Sequence, residues 1–141
     1  MYYITLADGT RVLADGNGIV ENVEVITANK TLTIEDSGKT FLIGTDALVI
    51  TLPATVMGVG YNFINSGADG NNLITLASAA ADAFMGTVAN AAADSVASGV
   101  ADKDFVNTKA TANNGDRISI VGDGVDGWYV KDGVGIWASE A

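Results

Sequence analysis

A chain of 141 residues has room for one ordinary domain. Seventeen acidic residues against seven basic ones give a net charge of -10, and the chain contains neither histidine nor cysteine. Those absences exclude disulfide scaffolds, thiol nucleophiles, iron–sulfur ligation and Ser-His-Asp or Cys-His catalysis, and they remove the commonest ligand of zinc and copper. The acidic balance argues against a nucleic-acid partner, whose phosphates call for a clustered basic surface. Hydrophobic residues make up 48% and charged residues 17%, which reads as a soluble globular domain and not a disordered chain. Thr, Asp, Asn and Gly interrupt every apolar stretch before the roughly 18 residues of a membrane span. The run Met1–Asp8 lacks the basic and apolar regions of a signal peptide.

In chain order, Tyr2–Ala7 and Thr10–Leu13 flank Asp8-Gly9, a pair suited to a two-residue type I′ turn because glycine accepts positive φ. Strands are expected over Ile19–Thr27, Thr40–Ile43, Leu48–Leu52, Val59–Ile64, Leu73–Leu76, Phe105–Thr108 and Arg117–Val121, with Glu35-Asp36-Ser37-Gly38 as a turn. Alternation assigns their faces: Leu48, Ile50 and Leu52 oppose Val49 and Thr51, and Val59, Tyr61 and Phe63 oppose Asn62 and Ile64. The alanine-rich segment 77–101 is either a short helix, on alanine's propensity, or an extended loop, because Gly86 and Gly99 interrupt it. Its small side chains would let another chain approach closely. At the end, Gly127–Lys131 and Val134–Ala138 flank Asp132-Gly133 and read as a tight hairpin, with Trp128 and Val130 opposing Tyr129 and Lys131. Period-two runs arriving about every 8–12 residues predict an all-β fold: an antiparallel β-sandwich or barrel-like domain with a short N-terminal hairpin arm.

Several stretches imitate chemical motifs. Gly122-Asp123-Gly124-Val125-Asp126-Gly127 spells GxGxxG, but a strand follows where a dinucleotide site needs a helix, and two aspartates would repel phosphate. It reads as a Gly/Asp connection between antiparallel strands. Gly38-Lys39-Thr40 resembles the end of a P-loop whose leading glycine would fall on Thr33. Asp69-Gly70-Asn71-Asn72 and Asp102-Lys103-Asp104 lack the continuation of a calcium loop and read as solvated turns. Only four glutamates occur, and nothing pairs carboxylates for glycoside hydrolysis. No cofactor and no catalytic residue are expected. In the aromatic cluster, Trp128 is expected in the core, with Tyr129 or Trp137 at an edge or subunit contact.

The order of these pieces carries a resemblance. Thr31–Ile43, Ala47–Pro53, Gly58–Ile64 and the closing Gly115–Val121 and Asp123–Val130 together resemble a β-module of tailed-bacteriophage virion proteins. The resemblance implies a capsid decoration (cement) protein or part of a head fibre, and many such modules are trimeric. It divides the chain into an N-terminal arm and hairpin segment, 1–30, and a decoration-type domain, 31–141. Taken as a stand-alone chain without a coiled coil or repetitive shaft, the sequence is closer to decoration than to a whole fibre. The expected partners are then copies of itself, as a homotrimer, and the major capsid protein, with no nucleic acid and no membrane. The expected place is the outer capsid surface of the virion, after synthesis in the host cytoplasm. Tyr2, Tyr3 and Ile4 are expected to grip a neighbour, since an unanchored terminus stays disordered unless something holds it. A fibre or receptor-binding module touching a host glycan or protein is the alternative.

Overall fold

β-Branched and aromatic side chains at alternate positions give a strand two unlike faces. In the computed structural model, which describes residues 2–14, 21–90 and 93–140, each run expected up to Lys131 contains a strand within those limits. β1 (Tyr2–Thr5) and β2 (Arg11–Ala14) form the arm, followed by β3 (Val23–Ile26), β4 (Lys30–Thr31), β5 (Thr40–Ile43) and β6 (Leu48–Thr51). Next come β7 (Gly60–Asn65), β8 (Ile74–Ala77), β9 (Ala83–Met85), β10 (Thr87–Val88) and β11 (Ser95–Val96). β12 (Phe105–Asn107), β13 (Arg117–Gly122), β14 (Gly127–Val134) and β15 (Trp137–Ser139) complete the order. Among the described residues, only two three-residue 3-10 turns, Ile34–Asp36 and Lys109–Thr111, are helical.

The strands build a β-sandwich. One sheet has the order β3-β5-β7-β13-β14-β9, and the other β15-β12-β8-β6-β4. Phe41, Tyr61, Phe63, Ile118, Ile120 and Trp128 face inward from the first sheet, and Leu48, Ile50, Ile74, Leu76, Phe105 and Trp137 from the second. Phe84 of β9 stacks on Phe105 of β12 at 5.6 Å between ring centroids, joining the two layers. The alternation expected for 48–52, 59–64 and 127–131 holds: Trp128 is fully buried, while Tyr129 and Lys131 face out.

Pairing directions follow from how the chain travels. From β3 to β8 it crosses to the opposite sheet after every strand, so β3-β5-β7 and β4-β6-β8 are parallel neighbours. β13 then pairs antiparallel with β7 and β14, and β12 with β8 and β15. The sandwich is therefore mixed, and antiparallel chiefly in its second half. It also begins before residue 31: β3 lies in the six-stranded sheet, and the described arm is 2–14. Residues 19–20 of the expected first strand lie outside the described residues.

Two turns differ from expectation. At the arm, Leu6 N–H donates to Thr10 and Gly9 N–H to Leu6, a three-residue loop with Gly9 at φ 87° in place of a two-residue turn. The hairpin expected at Asp132-Gly133 does not form: β14 runs through both residues, paired with β13 as far as Arg117↔Val134. Gly133 serves close packing, since a Cβ there would stand 3.1 Å from the Val88 side chain. The chain leaves the sheet at Gly135 (φ 114°), where a Cβ would meet the Asp116 carboxyl carbon at 2.4 Å, and β15 enters the other sheet beside β12. The segment 77–101 is extended in its described part, with β10 and β11 as a two-stranded ribbon.

Candidate interaction surface

Register decides what the six-stranded sheet shows to the outside. Residues side by side in a sheet share a face, so Val25, Leu42, Ile64, Arg117 and Val134 form one outward row. Val23, Thr40, Asn62, Ser119 and Asp132 form the next, and Gly60, Val121, Tyr129 and Met85 a third. Val25 is 65% exposed, Val23 48%, Tyr129 45% and Val134 40%. Apolar side chains on the wet face of a sheet mark a surface suited to burial against another molecule. Arg117, Lys131 and Asp132 are its charged members, all exposed.

A second apolar feature sits on the loops. Met57 is 77% exposed and Val125 75%, with Val56 beside Met57. Their loops are latched together: Thr55 Oγ1 donates to Gly127 O (2.6 Å) and accepts from Gly124 N–H (3.2 Å), and Gly58 N–H donates to Gly122 O (3.0 Å). Thr55 N–H donates to the buried Asp82 carboxylate at 2.7 Å. In the GxGxxG loop, Asp123 Oδ1 accepts from the backbone of Gly127, Val125 and Asp126, which holds its carboxyl below the usual range. The loop is a turn between β13 and β14, as expected, with its carboxylate already occupied.

The residues expected at contacts fall into separate environments. Tyr3 is 61% exposed with the Arg11 guanidinium 4.3 Å from its ring centroid, and Ile4 is half-buried. The backbone of Tyr2 pairs with Ala14; its side chain lies outside the described residues. Tyr129 sits on the outward face, as the alternation implied. Trp137 lies on the edge strand β15, but its side chain offers no outer contact: it is 2% exposed, 5.8 Å from Phe105, because β15 turns into the second sheet and points the indole into the core. Val23, Val25, Leu42 and Val134 were not singled out from sequence. Their signal was apolar residues on the face opposite the core, legible only after register aligned the strands.

Other polar groups support the fold. Between the sheets, Asn65 Nδ2 donates to Asn107 Oδ1 (2.7 Å), Asn72 Nδ2 to Asn65 Oδ1 (2.9 Å), and Asn107 Nδ2 to Asp116 Oδ2 (3.1 Å). Asp116 lines a cleft of about 400 Å³ with Asn90, Asn113 and Gly135, and its Oδ2 is also held by Asn113 N–H at 3.0 Å. Tyr61 donates its hydroxyl to Thr33 O at 2.7 Å; burial, with Asp36 and Glu35 nearby, pushes it up to about 12. Among the described residues, no three His, Cys, Asp or Glu side chains gather in a group able to hold a metal ion. No described helix is long and apolar enough to cross a membrane. No family model matches the chain, and a search of curated proteins finds no relative.

Proposed function

We propose that this chain is a structural virion protein, a decoration (cement) protein that self-associates as a trimer on the outer surface of a tailed-phage capsid and ties neighbouring capsomers together. In this role it is not an enzyme and needs no cofactor. The observation that carries the reading is the outward face of the six-stranded sheet, where Val23, Val25, Tyr129 and Val134 stand exposed on a stiff scaffold. The resemblance of the order of its sequence pieces to phage β-modules supports it. The arm is the gripping element: among the described residues β1 pairs with β2 alone, and the exposed Tyr3–Arg11 pair gives it an aromatic and cationic tip.

Imaging particles made with and without the chain tests the reading, since decoration requires density on the outer shell at a copy number that follows the capsomers. Deleting residues 2–13 is expected to abolish particle binding while the sandwich still folds. Unchanged decoration by the truncated chain would remove the arm from the mechanism. The Met57–Val125 tip favours the second reading, a fibre or receptor-binding module meeting a host glycan or protein. A low copy number at one vertex or at the tail would select it.

A further inference from the structure

A β-sandwich has four sheet edges, and here they are treated unequally. The β9 edge is occupied: Ala97 N–H donates to Gly86 O (2.9 Å), Gly99 N–H to Phe84 O (3.0 Å) and Asp102 N–H to Asp82 O (3.1 Å). The β15 edge is shielded by the same segment, through Trp137 N–H to Ser95 Oγ (3.1 Å) and Ser98 N–H to Ser139 Oγ (2.8 Å). β4 is only two residues long. β3 is four residues long, pairs on one side only among the described residues, and carries Val23 and Val25 exposed. It has no proline, no outward lysine and no bulge, the devices that ordinarily blunt an edge.

Parity identifies the free groups. In a parallel ladder the N–H and C=O of one residue point to the same neighbour, and the direction alternates along the strand. Thr40 N–H donates to Asn22 O at 2.9 Å, so Asn22, Glu24 and Ile26 face β5. Val23 and Val25 therefore turn their backbone groups to the open side.

The geometry points to this edge as the place where a second copy of the chain adds its own β3, antiparallel and about a two-fold axis through Val25. That register is self-complementary. Val25 exchanges both backbone hydrogen bonds with Val25 of the second copy, Val23 lies beside Thr27, and Glu24 beside Ile26, so the apolar outward row continues from one sheet into the next. Charge selects a second copy in the same way. A chain of net charge -10 repels itself wherever its acids are bare, but the one acid of β3, Glu24, is held by Lys30 and Lys39, the latter at 3.2 Å. The edge is thus neutral ground on an acidic molecule. This contact goes beyond the proposed virion role. It joins copies in pairs, not threes, and stands whether or not the chain decorates a capsid.

Sedimentation of the full chain over a concentration series tests it. Reversible monomer–dimer association is expected. Val25→Pro, which removes only an N–H on the open side, and Val25→Lys, which charges the edge, should each weaken it at least about tenfold. Val134→Lys, on the outward face far along the sheet order, should leave it intact. Amide exchange on the unmodified chain gives an independent reading: Val23 and Val25 N–H should gain protection as concentration rises. A monomer at every concentration, or Val25 variants that associate like the parent, would overturn the proposal. So would association lost on deleting residues 2–13 but kept in Val25→Pro, which would name the arm as the occupant. Failure of particle binding bears on the virion reading alone.

Discussion

The two flanks of the sandwich differ in how they end. On the β9/β15 flank, residues 95–102 bond across both sheet edges, and inside that flank Phe84 stacks on Phe105, with Trp137 tilted against Phe105. On the β3/β4 flank the core stops at Ile26 and Leu32, and polar groups finish the surface: Glu24 binds Lys30 and Lys39, and Lys39 binds Asp36 at 2.8 Å. One flank is sealed by backbone bonds over aromatic packing, the other by ion pairs beside bare strand edge. The lesson is that small alanine and serine side chains let a segment close on its own molecule, whereas a flank kept open by charge stays available to another.

Substitutions can break this contrast, and the largest effect belongs under the sealed flank. Phe84→Ala should cost about 3–5 kcal/mol in denaturant unfolding, since Phe84 is 1% exposed and its cavity lies between two sheets. Val25→Ala on the open edge should cost under about 0.5 kcal/mol in the same assay. Similar losses at both sites would erase the distinction. Ala97, 8% exposed, should tolerate no larger side chain. Ala97→Leu is expected to cost about 1–3 kcal/mol by overpacking, and to speed amide exchange at residues 97 and 99, which bond to β9. Glu24→Gln on the open flank should cost only about 0.2–1 kcal/mol, because the pairs are partly solvated.

Acid titration sharpens the comparison, because the flanks respond with opposite sign. Lys30 holds the Glu24 carboxyl down, with Lys39 assisting against partial burial. At Asp36 burial opposes ionisation, but Lys39 and the Thr33 N–H outweigh it, so that carboxyl too is lowered. Both contribute stability that is present above the ordinary carboxylate range and lost as pH falls through their lowered values. Asp104, beside the sealed flank, is raised by burial, then by Glu140 and Asp102. Its ionised form is the disfavoured one, so its unfavourable contribution is present at neutral pH and fades as pH falls through the raised value. Asp104→Asn should therefore raise the melting temperature at pH 7, with the gain over the parent shrinking on acidification. A gain that grows on acidification would reverse the assignment. Asp102, at φ 61°, occupies a backbone region that glycine prefers, so Asp102→Gly should add up to about 1 kcal/mol in thermal unfolding.

The outward surface was only half legible. Tyr129 could be placed from its alternation with Trp128 and Val130, because period two is a local property of the backbone. Val25, Leu42, Ile64 and Val134 come from strands far apart in the chain, and nothing local says that they become one row. Trp137 shows the opposite failure: its neighbours look like a returning hairpin strand, yet Gly135 sends it into the other sheet.

By itself the amino-acid order determined where most strands lie and which of their side chains turn inward. Those properties depend on residues two or three positions apart, within reach of backbone sterics and alternation. Tertiary structure alone decided strand partners, parallel or antiparallel sense, and which edge was left unpaired. A glycine or aspartate turn reverses the chain equally well into its own sheet or across to the facing one. The choice rests on which large side chains fill the space between the layers, a contact among residues distant in sequence.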